Sequence, residues 1–158
     1  MTTPLFQPIG VVRTPFTDVV GMPIQPAYAG DARGVVEVVP AYQAGLRDLA
    51  GFERIWLIYV LHAVNDAKLV VTPFRDTQPR GIFATRAPCR PNPIGLSCVR
   101  VLAVHATHLE VAEVDLLDNT PVLDIKPYVP AYDAFPGVRA GWFDAQAADR
   151  RRADARFK

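Results

Sequence analysis

From residue 54 to 62 the chain reads Arg-Ile-Trp-Leu-Ile-Tyr-Val-Leu-His, seven consecutive apolar residues between a charge and an imidazole. A continuous run of that length, rich in β-branched and aromatic side chains, predicts a strand buried on both faces and central to its sheet. Residues 34–39, Gly-Val-Val-Glu-Val-Val, predict a second strand from their β-branched content. Residues 6–14 alternate loosely up to Pro15, as a first strand would. Residues 68–72, 81–85, 96–105 and 108–116 each have strand length and composition, with turn residues between them. Only Tyr42, Leu46 and Leu49 fall at helical spacing, which predicts a short helix after Pro40, running to about Ala50 and stopped by Gly51. Residues 14–29, broken by Pro15, Pro23 and Pro26, fit neither period and predict a long ordered loop, a kind of segment that usually carries function. Many short strands and one helix predict an all-β fold: a small single-domain β-barrel with one or two short helices and long ordered loops.

Composition supports that picture. A chain of 158 residues, half of them hydrophobic, suits one domain with a real core, since a domain of about 150 residues buries close to 70% of its unfolded surface. The 15 prolines disfavour long helices. The barrel is expected over residues 1–143, followed by a basic tail over 144–158 that is small, polar and poor in apolar surface, hence weakly ordered or docked on a partner. A formal charge of only +1 excludes a bulk electrostatic field for nucleic acid. Local clusters remain in Arg75, Arg80, Arg86, Arg90 and Arg100, and in the tail residues Arg150, Arg151, Arg152, Arg156 and Lys158. Cys89 and Cys98 lack metal spacing and the three histidines are scattered, so reduced thiols and no metal are expected. The beginning of the chain has no basic-then-apolar segment and no run approaches membrane-span length, which predicts a cytoplasmic protein with no membrane partner.

The stretch Ala84-Thr-Arg-Ala-Pro-Cys-Arg-Pro-Asn-Pro-Ile94 is the least like packing material. Each proline fixes its own φ and pushes the preceding residue out of the helical region, so Ala87, Arg90 and Asn92 are held extended. A loop that stiff positions Arg86 and Arg90 at little entropic cost. A second unusual run spans Asp115-Leu-Leu-Asp118-Asn-Thr-Pro-Val-Leu-Asp124-Ile-Lys-Pro-Tyr128. Asn119 suits a left-handed turn, Asp118 can cap that turn, Asp124 can pair with Lys126 or an arginine, and Asp115 and Asp118 suit hydrogen-bond acceptors in a cleft. An EF-hand would need a glycine and a distal glutamate that this run lacks. His62 reads as a rim residue satisfied by backbone, and His105 and His108 flank a hairpin. Cys89 has no histidine nearby in sequence to activate it.

The segments Gly81-Ile-Phe-Ala-Thr-Arg86, Arg90-Pro-Asn-Pro-Ile-Gly-Leu-Ser97, Asp115-Leu-Leu-Asp118 and Thr120-Pro-Val-Leu-Asp-Ile-Lys-Pro-Tyr128 together resemble the TsaA-like family, whose best-known members methylate N6 of threonylcarbamoyladenosine in tRNA. The likeness runs from Ile9-Gly10 to about Trp142. It implies a small β-barrel, S-adenosyl-L-methionine as methyl donor, tRNA as substrate and a homodimer. Carried over position by position, it implies donor contacts from the loop Gln25-Pro26-Ala27-Tyr28, from His62 and Ala63, from Arg86 and Leu96, and from Asp115, Leu116, Leu117 and Asp118. The catalytic residues it implies are Arg86, Arg90, Asn92 and Asp118. Ile24 stands where many members carry arginine, Asn119 replaces a usual glycine, and residues 72–80 lack the arginine, proline and glycine pattern of the longer enzymes. The near-neutral charge and the changed segment before Gly81 suggest a second reading, a methyltransferase for a small-molecule acceptor, and a third is a non-catalytic barrel that binds an adenine ligand or RNA.

Overall fold

The computed structural model describes residues 4–145 and 149–158. Its strands are β1 (Gly10–Arg13), β2 (Arg33–Val38), β3 (Arg54–Val60), β4 (Val70–Val71), β5 (Arg80–Gly81), β6 (Ile94–Val104), β7 (His108–Ala112) and β8 (Thr120–Pro127). Six of them close into an antiparallel barrel in the order β1-β2-β7-β6-β3-β8, with β8 pairing back onto β1, while β4 and β5 form a separate two-stranded ribbon. Closure leaves the barrel itself without an unpaired edge. No helix among the described residues is long and apolar enough to cross a membrane.

Alternation builds the core. Ile55, Leu57 and Tyr59 of β3 point inward and are buried with Val12, Val36, Val99, Leu109, Val111 and Val122 from the other strands. Each aliphatic side chain so enclosed stabilises the barrel by about 1.5–3 kcal/mol. β3 pairs with β6 and β8, but closure gives every barrel strand two neighbours, so β3 is not distinguished as central, and it is buried on one face only. Trp56, Ile58 and Val60 look outward and are half-covered; Trp56 packs edge-on against Tyr128 at 5.7 Å and donates Nε1–H to Asp133 at 3.3 Å.

Several sequence expectations need correction. The helix expected after Pro40 is two 3₁₀ pieces, Pro40–Leu46 and Leu49–Gly51, because Asp48 takes a left-handed φ of 66° and interrupts the turn. The strand expected at 68–72 shrinks to β4, and 81–85 is a 3₁₀ turn, Ile82–Ala84, behind β5. β7 stops at Ala112 rather than 116, since Glu113 has φ 65° and turns the chain out of the ladder. β8 falls in a run read for its polar residues, yet Val122 is fully buried and the strand closes the barrel.

The described part of the tail docks on its own chain. Residues 21–24 exchange backbone hydrogen bonds with Arg151 and Ala153 at 2.8–3.1 Å. Phe157 packs edge-on against Phe74 at 5.0 Å and covers a small second core of Val71, Ile82, Ala87 and Cys89.

The registers Val60↔Ile94, Val12↔Thr120, Arg13↔Val35 and Arg33↔Ala112 put the end of β3, the start of β6, the start of β8, the end of β1, the start of β2 and the end of β7 at one rim. Three long connections, 14–32, 61–93 and 113–119, therefore leave from the same end of the barrel.

Candidate functional site

Nearly every site residue that the family resemblance implies lies on those three connections. Gln25 to Tyr28 are on the first, His62, Ala63, Arg86, Arg90 and Asn92 on the second, and Asp115 to Asp118 on the third. Leu96 is the exception, exposed on the outer face of β6 near the same rim.

The proline-braced loop uses its two arginines differently. Arg90 turns back on the loop, and its Nη1 donates to the carbonyls of Thr85 (2.7 Å), Ile82 (3.1 Å) and Ala87 (3.3 Å). Its guanidinium thus ties together backbone that the prolines leave without a ladder, and Ala87 and Cys89 fill the second core beneath. Arg86 is exposed, and its Nη1 donates to Gln25 Oε1 at 2.8 Å, joining the first and second connections. Asn92 is exposed at the turn into β6, its carbonyl accepting from Ile94 N–H at 2.7 Å. At Gly95 a Cβ would overlap the Tyr59 ring, so the glycine after this loop lets that ring lie across β6.

The third connection folds back over the barrel mouth, with Val114 and Leu116 buried as a plug. Between them Asp115 points into the same dry region. Ser97 Oγ–H donates to Asp115 Oδ1 at 2.6 Å, and the Tyr59 hydroxyl lies 2.9 Å from Ser97 Oγ. Burial pushes the Asp115 carboxyl up to about 7, against the Ser97 hydrogen bond and the Arg86 charge, which lower it. Burial also drives the Tyr59 phenol well above its ordinary value, with the Asp115 charge adding to the shift.

Asp118 faces β1. Its Oδ1 accepts from Thr14 N–H at 3.0 Å and its Oδ2 from Asn119 Nδ2 at 2.8 Å. Asn119 has the left-handed φ of 63° its position calls for, and Arg13 donates to its Oδ1. The carbonyls of Leu116 and Leu117 accept from Thr14 and Thr120 hydroxyls at 2.8 and 2.7 Å. His62 Nδ1 lies 3.5 Å from Thr120 Oγ1, and Ala63 beside it is exposed. Asp124 pairs with Lys126 at 3.0 Å, away from this rim.

Sequence reasoning missed the supports. Ser97 and Tyr59 sit at inward positions of apolar strands, where a hydroxyl signals a buried polar partner. In the sequence Arg75 reads only as charge; its guanidinium stacks on the rings of Tyr28 (5.2 Å) and Phe143 (5.1 Å), so it fixes the first connection against the chain's return. Trp142 Nε1–H donates to the Ala84 carbonyl at 2.8 Å, bracing the arginine loop from outside. The basic clusters are largely neutralised. Asp149 pairs with Arg75 and Arg151, Asp154 with Arg150 and Arg156, and Asp76 with Arg80.

Fold and contacts together define a small closed β-barrel with three long connections that meet at one rim through polar contacts. The family model described as the tRNA-methyltransferase O N-terminal domain matches residues 11–134, and the chain belongs to that family. It is 44% identical over 154 residues to a probable S-adenosyl-L-methionine-binding protein of Pyrococcus abyssi, covering 96% of this chain and 84% of that one. It is 35% identical over 153 residues to the tRNA (adenine(37)-N6)-methyltransferase of Escherichia coli, covering 90% of this chain and 64% of that one. The crystal structure of TrmO from Pseudomonas aeruginosa superposes with a TM-score of 0.75 at 39% identity, over 89% of this chain and 62% of that one. The chain thus spans most of the Pyrococcus relative and less than two thirds of the two bacterial enzymes.

Proposed function

We propose that this chain is an S-adenosyl-L-methionine-dependent methyltransferase acting on N6 of threonylcarbamoyladenosine in tRNA, with the donor held in the cleft between residues 14–32, 61–93 and 113–119. The observation that carries the reading is the Arg86–Gln25 contact at the meeting point of separate family motifs. The residues present fit the donor. Arg86 keeps further guanidinium donors for a carboxylate, half-buried Asp118 stands on the third connection for amino or hydroxyl groups, with Asp115 buried behind it, and exposed Leu96 and Phe83 offer apolar surface. When bound, the cofactor supplies an electrophilic methyl on a sulfonium. The chain's own contribution is alignment, and holding two reactants at about 3–3.5 Å can supply several kcal/mol of the rate gain. Arg90 belongs to this as the brace of the loop that presents Arg86, and Asn92 and His62 stand at its exposed rim. The reading includes a homodimer, supported by the exposed Leu69, Val70, Phe83, Ile94 and Leu96 close to the cleft.

A small acceptor in place of tRNA is the second reading, favoured by the ion pairing of Arg75, Arg80, Arg150, Arg151 and Arg156. Incubation with labelled donor and total tRNA, followed by digestion to nucleosides, separates the two. Label in modified adenosine supports the tRNA reading; donor binding with no labelled nucleoside moves the assignment to a small acceptor.

A further inference from the structure

We propose that His105, His108 and Glu110, at the turn joining β6 to β7, form a site for a divalent first-row transition metal, with Zn²⁺ the ion it suits best. These residues lie at the rim opposite the cleft. The backbone that carries them is fixed: His105 N–H donates to the His108 carbonyl at 2.9 Å, and Val104 pairs with Leu109, Ala103 with Glu110.

His105 Nε2 stands 3.1 Å from Glu110 Oε1. Two ligands each about 2.1 Å from a shared tetrahedral cation lie about 3.4 Å apart, so this pair needs almost no rearrangement to chelate. One ligand atom from each of the three residues lies within 4.8 Å of the others, and the imidazole rings stack with centroids 4.3 Å apart. Turning one ring about its χ2 brings its nitrogen to the ion. His108 Nδ1 is 3.0 Å from the Thr107 hydroxyl, a contact that opens when it is the His108 ring that turns. Glu37 is the cross-strand partner of His108 on β2, but its carboxylate is tied to Arg13 at 3.1 Å and it is not counted as a ligand.

Two imidazoles and one carboxylate select Zn²⁺, Ni²⁺ or Co²⁺ over Mg²⁺ and Ca²⁺, which take oxygen donors. The residues are about half exposed, so water completes the coordination. The ion would clamp the β6–β7 turn and stabilise the barrel by mass action, apart from any methyl transfer.

The test uses tag-free, chelator-treated full-length protein titrated calorimetrically with ZnCl₂. The site predicts one Zn²⁺ per chain, affinity weakened tenfold or more in His105→Ala and in His108→Ala, and Co²⁺ broadening confined to amides of residues 103–112. Since these side chains project from an exposed turn, the variants keep the wild-type melting temperature in chelator. No saturable binding up to about 1 mM Zn²⁺ would overturn the site. So would a loss smaller than tenfold in the variants, or binding that Cys98→Ser abolishes and the histidine variants retain.

Discussion

Ser97 on β6 donates its hydroxyl proton to Asp115 at 2.6 Å, joining a barrel strand to the loop that closes the barrel mouth. Among the buried residues of the described chain the only carboxylate is Asp115, and its hydrogen-bonded partner has Tyr59 behind it. The folded carboxyl keeps its proton up to about 7, whereas in the unfolded chain it releases it near 3.8. Between those values the folded state holds more protons than the unfolded state, so this group makes stability fall as pH rises from about 4 to 7 and level off above. In Asp115→Asn that slope disappears. Urea unfolding of both proteins at pH 5 and pH 8 should show wild type losing on the order of a few kcal/mol relative to the variant; parallel behaviour would refute the linkage.

Arg86→Ala removes an exposed guanidinium that holds Gln25 on the neighbouring connection. Affinity for S-adenosyl-L-methionine should fall about ten- to a hundredfold by calorimetry, a loss of about 1.4–2.8 kcal/mol, while the melting temperature moves little. Arg86→Lys should restore only part of the affinity, since an ammonium cannot offer two parallel donors to a carboxylate. Equal affinity in wild type and Arg86→Ala would take the residue out of the site.

Arg90→Ala acts through the loop instead. Three carbonyls lose their shared donor, at a cost of about 1–3 kcal/mol. Hydrogen exchange should quicken at Thr85 and Ala87, and turnover should drop together with stability. Unchanged exchange there, with turnover lost, would instead put Arg90 against the reactants.

Phe157→Ala empties the contact with Phe74 and uncovers Val71 and Ile82. Local stability should drop by about 1–2 kcal/mol, less than the cost of truncating a fully buried phenylalanine, because Phe157 is only partly buried. The amides of Gly21 and Ile24, which donate to Ala153 and Arg151, should lose protection first. Retained protection at both would show that the tail does not hold the first connection.

The barrel was legible where apolar residues ran together. Residues 54–60 became β3 because an apolar run between charges has few other solutions, and the β-branched residues 33–38 became β2. β8 was not legible, because Pro121, Asp124 and Pro127 hide a strand whose inward Val122 carries the burial. Helical spacing at Tyr42, Leu46 and Leu49 misled, since the left-handed Asp48 breaks the turn and no spacing rule foresees it. At the cleft, Arg86 was readable from its rigid setting, whereas the Ser97–Asp115 pair depends on β6 and a loop 18 residues away meeting in space. The tail misled through its composition, because its arginines are answered by Asp149 and Asp154, and among its described residues Phe157 packs on Phe74 while Arg151 and Ala153 bond the backbone of residues 21–24.

The central claim is that the three connections at one rim hold the methyl donor. Following backbone amide shifts while S-adenosyl-L-methionine is added tests it directly. The account predicts saturable shifts concentrated at residues 25–28, 62–63, 86 and 115–118, with the opposite rim around Leu46 and Phe52 silent. Saturable shifts clustered at that opposite rim, with residues 86 and 115–118 unmoved, would contradict it.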